Sequence, residues 1–476
     1  MTDQSKAADS AATKISKPAA GQPFSPPQSQ QIGNAPTQNQ KDSAAAQKKM
    51  SPMPLEEAFS PIFVARQPIF DLNNNIWGYE LLFRSNKDTK VAMIGDHDAA
   101  TAQVIVEGFS MATVNEVDRK YLINFPTNLL LKGSALALPP NNCVVEILET
   151  VTPTPQIIES CHKLKNAGYT LALDDFVDQA GMDPLLAMAD IVKVDMAQLS
   201  VPEFIKLTQR LQRWHCALLA EKVENNEMYR LAKTMGYKYF QGFFFSKPKL
   251  IEGRTLSTES ISKIRLLKEM SKGDFDVTKL TKIITNDISL SYRLIKYINS
   301  AYHGLLHEVT SIQQAIILLG FLPLQHWLLM VILSDLAVTP ATKEISFLSV
   351  KRSKFLELLG KEKNNSQAQQ DTLFMLGLFS KLDSLMGMPM AELLPSLPLD
   401  AKIKDALAKK EENELSPWLT MLDAVDNGKW TMAAELLTKL GIDLEKAAML
   451  HAQALNWTRV NLDVVSANPK TEGGNS

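Results

Sequence analysis

Residues 171–176, LALDDF, read as a buried strand that ends in two adjacent carboxylates, Asp174 and Asp175. Apolar residues carry such a strand into a core, and paired aspartates cannot follow it there without metal, hydrogen bonds or solvent. The same pattern returns in residues 191–195 (IVKVD), 218–224 (LLAEKVE) and 239–248 (YFQGFFFSKP), where apolar runs lead to charged or amide residues. Upstream, 121–125 (YLINF) ends with Asn124 near its tip, and 143–149 (CVVEILE) carries Glu146 and Glu149. Repetition of this kind is how the carboxyl-end rim of an α/β barrel looks in sequence, with chemistry at the strand ends.

Working outward, residues 62–66 and 76–84 predict a hairpin turned by Asn73-Asn74-Asn75, with Glu80 in its second strand. Helices are expected over 97–111, 157–167, 184–189, 203–214 and 226–235, with Gly168 and Gly236 as stops. Strands alternating with helices of this length indicate a parallel sheet, and the number of units favours a barrel. From 256 to about 462 no strand is convincing, and helical patterns are broken at Gly320, Pro323, Pro340, Gly360, Pro395 and Gly428. The expected organisation is a disordered tail over 1–60, a barrel over 61–252, an all-helical domain over 256–465 and a polar tail over 466–476. The first tail is rich in Ala, Gln, Ser, Pro and Lys and nearly lacks aromatics, so it cannot offset its ordering entropy.

Composition narrows the function. At 476 residues the chain has length for two or three domains. A net charge of −2 gives no reason to bind a nucleic-acid polymer or an acidic membrane. Cys143, Cys161 and Cys216 are odd in number, lack CxxC spacing and read as buried thiols in a reducing cytosol. No uninterrupted apolar run is long enough to span a membrane and the N-terminus lacks an apolar signal core, so a cytoplasmic protein is expected.

The strand-end residues Glu80, Asn124, Glu146, Asp174, Asp175, Lys193, Glu221, Glu224 and Gln241 make a coherent set. Carboxylates with an amide oxygen are hard ligands that suit Mg²⁺ or Mn²⁺ rather than zinc. Two such ions would clamp the attacking and leaving oxygens of a phosphodiester displacement. Lys193 can hold a water or a phosphate oxygen, and Glu221 is placed to act as general base. Any one of these acids is equally well a rim salt bridge; the set together favours function.

Here the residues reach a family. The chain from about 62 to 248 resembles the EAL domains, bacterial phosphodiesterases of cyclic di-GMP with a modified TIM barrel. Glu80-Leu81-Leu82 stands at the Glu-Ala-Leu signature and Arg84 at the arginine that follows it. The resemblance implies metal ligation by Glu80, Asn124, Glu146, Asp174 and Asp175, catalysis by Glu221 and Lys193, and substrate binding by Gln67, Arg84, Gln241 and Glu224. It makes Glu149 the anchor of the adjacent loop. The implied reaction opens cyclic di-GMP to linear pGpG. Two departures stand out. The family's DDFGTGYSSL loop is here Asp174-Asp175-Phe176-Val177-Asp178-Gln179-Ala180-Gly181, where Val177 would be strained if its φ were positive. The family's AEGVE is Ala220-Glu221-Lys222-Val223-Glu224, which sets a cation beside the proposed base.

The helical half resembles an HDOD domain, a relative of the HD phosphohydrolases without their metal centre, over 291–304 (SYRLIKYINSAYHG), 309–320 (VTSIQQAIILLG) and onward to Asp335. The only His-Asp dipeptide, His97-Asp98, lies in the other domain at a helix start, where it reads as capping. His303, His307 and His326 read as core or surface residues, and the apolar stripe 327–336 as core packing. The resemblance implies a regulatory or interaction module, with a protein partner on the helical domain or the N-terminal tail, and allows a homodimer. Two functions are therefore expected to compete: metal-dependent hydrolysis of cyclic di-GMP, and a catalytically degenerate barrel that binds the dinucleotide or a protein and relays that state through HDOD.

Overall fold

A computed structural model describes residues 62–85, 97–113, 119–242 and 277–466, apart from 301, 302, 304, 306, 398 and 410–412. The expected N-terminal tail, the expected C-terminal tail beyond Ser466, the segment 243–276 and most of the 239–248 run lie outside the described residues.

Eight strands close into a barrel: β1 (Ile62–Asp71), β2 (Ile76–Ser85), β3 (Lys120–Phe125), β4 (Cys143–Ile147), β5 (Thr170–Leu173), β6 (Ile191–Asp195), β7 (Ala217–Glu221) and β8 (Tyr239–Phe240). β1 runs antiparallel to both neighbours, and every other pairing is parallel. The hairpin that inverts β1 turns at Asn74, with φ +61°, where the Asp71 carboxylate accepts the Asn73 and Asn75 backbone N–H groups at 2.8 Å. An Asn tolerates the left-handed region, and the Asx bonds fix the turn.

Between the strands run α1 (His97–Thr113), α2 (Thr127–Leu131), α3 (Pro155–Asn166), α4 (Asp183–Leu186), α5 (Val201–Leu211) and α6 (Asn226–Thr234). Their apolar stripes meet the outward strand faces through residues such as Phe109, Ile157, Phe204 and Tyr229. The sequence explains their ends. Thr154 caps α3, Ser200 and Glu203 form a capping box on α5, and Asn225 caps α6.

The second part is helical: α7 (Val277–Asn286), α8 (Ile288–Ile298), α9 (Ile312–Leu319), α10 (Phe321–Leu336), α11 (Pro340–Glu362) and α12 (Gln367–Phe379). It continues through α13 (Leu382–Met386), α14 (Met390–Leu393), α15 (Ala401–Leu407), α16 (Ser416–Asp426), α17 (Trp430–Lys439) and α18 (Leu444–Ser466). Two expected breaks are not breaks. Pro323 sits in the first turn of α10, where its missing N–H costs nothing. Gly360 lies inside α11, where a Cβ would come 2.8 Å from Leu373 Cδ1 of α12, so it allows close helix packing. The stripe 327–333 is buried from Trp327 to Leu333, as expected of core. Among the described residues no single helix is long and apolar enough to cross a membrane.

The barrel and the helices form one compact unit. The joint is the β1–β2 hairpin. Phe63 leaves the barrel core for the helical one, with ring centroids 5.7 Å from Trp430 and from His451. Leu82 packs on Gly428, whose φ of +63° and lack of a Cβ let the α16–α17 turn approach. Arg66 places its guanidinium between the rings of Tyr79 and Phe347 and donates to Glu344 of α11 at 3.2 Å.

Candidate functional site

Side chains along a strand alternate between barrel interior and exterior, so residues two apart stack in layers inside. One interior layer is apolar: Ile69, Leu122, Val144, Ala172, Ile191 and Leu219 form their own buried cluster. Step two residues toward the carboxyl ends of β3 to β7 and the layer becomes Asn124, Glu146, Asp174, Lys193 and Glu221. Gln67 and Glu80, paired across β1 and β2, and Gln241 just after β8 complete it. Each strand thus contributes one polar side chain to a belt lying on an apolar floor.

Lys193 is at the centre. Its ammonium lies 2.7 Å from Glu146 Oε1, 2.7 Å from Asp174 Oδ1, 3.0 Å from Glu221 Oε1 and 3.6 Å from Glu80 Oε2. Burial alone would lower the Lys193 pKa; the four carboxylates raise it well above the ordinary value. One cation does not satisfy four acids. Burial, with the negative charge of Glu80 and Asp174, raises Glu146 well above its ordinary value against the pull of Lys193. Burial pushes Glu221 up to about 8, Lys193 opposing and Asp174, Glu80 and Asp175 adding. Asp175 is raised by partial burial and by Asp174.

The remaining oxygens lack donors. Asn124 Oδ1, Glu146 Oε2, Glu221 Oε2 and Gln241 Oε1 are buried without a hydrogen-bond partner, whereas Glu146 Oε1 has the Lys193 ammonium at 2.7 Å. All are acceptors. Carboxylate oxygens of Asp174, Asp175 and Glu221 also lie within 4.8 Å of one another. An oxygen-only set with excess negative charge and orphaned acceptors fits a hard divalent cation.

The belt brings together Gln67, Glu80, Asn124, Glu146, Asp174, Lys193, Glu221 and Gln241. Gln241 Nε2 donates to Gln67 Oε1 at 2.9 Å and to Glu80 Oε2 at 2.7 Å. Gly242 follows it with φ +145°, and a Cβ there would meet Val223 N at 2.4 Å, so the turn after β8 requires glycine. Glu224 is exposed but lines the same cavity. Glu149 is exposed in the turn after β4, and no hydrogen bond or ion pair reaches its carboxylate among the described residues. Arg84 pairs through its backbone with Phe63, and its side chain lies outside the described residues.

Backbone strain falls elsewhere than at Val177. That residue is not in the left-handed region; Asp175, with φ +38°, and Lys222, with φ +50°, are. Both sit at strand ends on the site, where an outlier of this kind costs about 1–3 kcal/mol and is held by its surroundings. Lys222 bonds Asp195 and lies 3.9 Å from Asp175. Asp195 is not among the predicted site residues, although IVKVD ends on it. It is buried, accepts from Ala197 N and Gln198 Nε2, and fixes the position of Lys222.

His326 and His303 both pack against aromatic rings. His326 stacks on Phe374 at 3.7 Å and burial holds its pKa down at about 4. His303 is lowered by burial and packs edge-on against Tyr297. His97 starts α1, and its side chain lies outside the described residues.

Comparison with known proteins now has a geometry to meet. The EAL domain model matches residues 118–248 and the HDOD domain model residues 259–418. The uncharacterized protein YuxH of Bacillus subtilis is 33% identical over 84% of this chain and 99% of its own length. Cyclic di-GMP phosphodiesterase CdgJ of Vibrio cholerae is 32% identical over 85% of this chain and 94% of its own. The chain belongs to the EAL–HDOD family. Among solved structures, Klebsiella pneumoniae BlrP1, in a complex with calcium and cyclic di-GMP, is 24% identical over 38% of this chain and 54% of that one, with a TM-score of 0.34. In this EAL–HDOD chain the β1–β2 hairpin, which inverts the barrel and joins it to the helices, precedes the matched EAL segment.

Proposed function

We propose that the chain is a cyclic di-GMP phosphodiesterase that opens the cyclic dinucleotide to pGpG with Mg²⁺ or Mn²⁺. The observation that carries this reading is the polar belt: one inward polar residue from each strand, a negative excess, and buried oxygens without donors. Its relative CdgJ carries the name of that activity. Glu80, Asn124, Glu146, Asp174 and Asp175 would hold the metal, which when bound would supply Lewis-acid charge to the phosphodiester. Glu221 takes a proton from the attacking water, whose oxygen bonds to phosphorus as the bond to the ribose 3′-oxygen breaks and that oxygen is protonated. Lys193, fixed by four carboxylates, holds the acids in place and offers charge to a phosphate oxygen. Gln67, Arg84, Glu224 and Gln241 contact the dinucleotide. The helical part acts as a regulatory module in a cytoplasmic protein, through a protein partner or a homodimer.

Lys222 favours a second reading. Its contacts to Asp195 and Asp175 place a fixed cation at the rim, as a binder without turnover would tolerate. One assay separates the two: purified protein with cyclic di-GMP and either metal, followed for pGpG, beside Glu221→Ala. The expected result is pGpG from the wild type and a loss of about 10²–10⁴-fold in the variant, with binding kept. Binding without pGpG in either metal establishes the second reading; unchanged turnover in the variant removes Glu221 as the base.

A further inference from the structure

The cavity above the belt, about 490 Å³, is not walled by the barrel alone. Beside Glu80, Asp174 and Glu221 it is lined by Lys351 and Arg352 of α11 and by Lys381 at the start of α13. These cations form a built cluster. Lys351 donates to Asp426 Oδ1 at 2.6 Å; Arg352 donates to Asp426 Oδ2 at 2.6 Å, to Asp423 Oδ1 at 2.5 Å and to Ser380 Oγ at 3.2 Å; Lys381 donates to Asp423 Oδ1 at 3.1 Å. The side chains of Arg352 and Lys351 are only 2% and 8% exposed. Three cations meet two carboxylates, so the wall keeps a positive excess, opposite in sign to the floor. The Arg352 guanidinium, aided by burial, lowers the Lys381 pKa, the mark of a site with more positive charge than its acids neutralise.

A cyclic dinucleotide carries two phosphates. One, bound at the belt with metal, leaves the other needing a cation at a distance from the rim acids, because a second phosphate facing those acids is repelled. We infer that Lys351, Arg352 and Lys381 form a phosphate subsite, so that the helical domain supplies one half of the dinucleotide site and the barrel the other. The assignment to a dinucleotide rests on the proposed function; the anion subsite itself does not.

The test uses the full chain and two probes. The hydrolysis-resistant bis-phosphorothioate analogue of cyclic di-GMP, titrated with Mg²⁺ present, reads the whole site. Inorganic phosphate in EDTA, followed by ³¹P line broadening, reads the wall alone, since the metal-free floor repels it. Lys381→Met removes a charge-assisted donor at the partly exposed edge, and is expected to weaken the analogue about tenfold or more and to abolish the broadening. Ser384→Asp adds a carboxylate to the same wall and has the same expected sign should Lys381→Met fold poorly. Analogue binding unchanged in both variants overturns the subsite and leaves the barrel reading intact. Phosphate binding that depends on Lys381, with no analogue binding to the wild type, keeps the anion subsite and overturns the dinucleotide reading. Neither ligand bound overturns both.

Discussion

The barrel belt and the helical cluster use the same ingredients with opposite balance. Around Lys193 one buried cation faces Glu80, Glu146, Asp174 and Glu221; around Arg352, two aspartates face three cations. Burial raises carboxylate pKa values in both places. In the belt it prevails, and Glu221 rises to about 8. In the cluster Lys351 and Arg352 overcome it and hold Asp426 well below its ordinary value, as Arg352 and Lys381 do for Asp423. Both networks are unbalanced, the belt toward negative charge and the cluster toward positive, and each imbalance suits an arriving ion of the opposite sign.

The largest expected effect tests that difference. Lys193→Met strands the buried carboxylates of the belt and is expected to cost about 3–5 kcal/mol in chemical denaturation, whereas Arg352→Met leaves Lys351 on Asp426 and Lys381 on Asp423 and is expected to cost less. Only the first loss is expected to shrink when Mg²⁺ or Mn²⁺ is added, because only the belt can trade its ammonium for a metal ion. An equal metal response in the two variants would erase the distinction.

The next effect is a pH profile with two sides. Glu221 has its folded pKa raised from an ordinary 4.5 to about 8, so the stability it contributes is fully present below 4.5 and is lost as pH rises through 8. Glu146 is shifted in the same direction. Asp423 and Asp426 are depressed, so their contribution is present above 3.8 and is lost as pH falls below it. The denaturation midpoint of metal-free protein is therefore expected to decline from about pH 5 to about pH 8.5, and Glu221→Gln to flatten that decline. A saturating divalent cation offsets it too, since the metal displaces the protons. A flat wild-type profile over that range would contradict the excess of negative charge.

The belt is legible in the sequence because strand periodicity is strict: an apolar residue at one inward position and a polar one two later can be read from Val144 and Glu146 or from Ile191 and Lys193. The loops beyond the strand ends are less so. The condition under which Val177 would be strained, a positive φ, is met at Asp175 and Lys222 instead, because φ depends on the path of the loop rather than on which glycine is missing. Asp195 reads in sequence as a mere strand end. The helical cluster is hidden for a different reason. Lys351-Arg352 in a lysine-rich helix reads as a solvated face, and its partners Asp423 and Asp426 come over 70 residues later. Nothing local in a sequence distinguishes a buried cation from a surface one when its counterion is that distant. Pro323 and Gly360 show the same limit, since one is tolerated by its position in the turn and the other required by a neighbouring helix.

The smallest expected effect concerns the joint between the two regions. Glu344 Oε2 accepts from Arg66 at 3.2 Å and from Tyr79 Oη at 3.1 Å, and both partners stand on the β1–β2 hairpin that also carries Gln67 and Glu80. The Arg66 and Glu344 side chains are 10% and 14% exposed, so water screens the pair incompletely, and Phe347 and Tyr79 cover the guanidinium 4.2 and 4.5 Å from their ring centroids. Glu344→Gln keeps the shape and removes the charge, and should cost about 1 kcal/mol. A double-mutant cycle with Arg66→Met isolates the pair, with an expected coupling of about 1 kcal/mol. Coupling near zero would mean that Phe63 in the helical core and Leu82 on Gly428 hold the joint by apolar packing alone. The hairpin would then transmit no charge-dependent signal from α11 to Gln67 and Glu80. Coupling of the expected size, together with weaker metal binding in Glu344→Gln, would make the helical region a control on the belt as well as its wall.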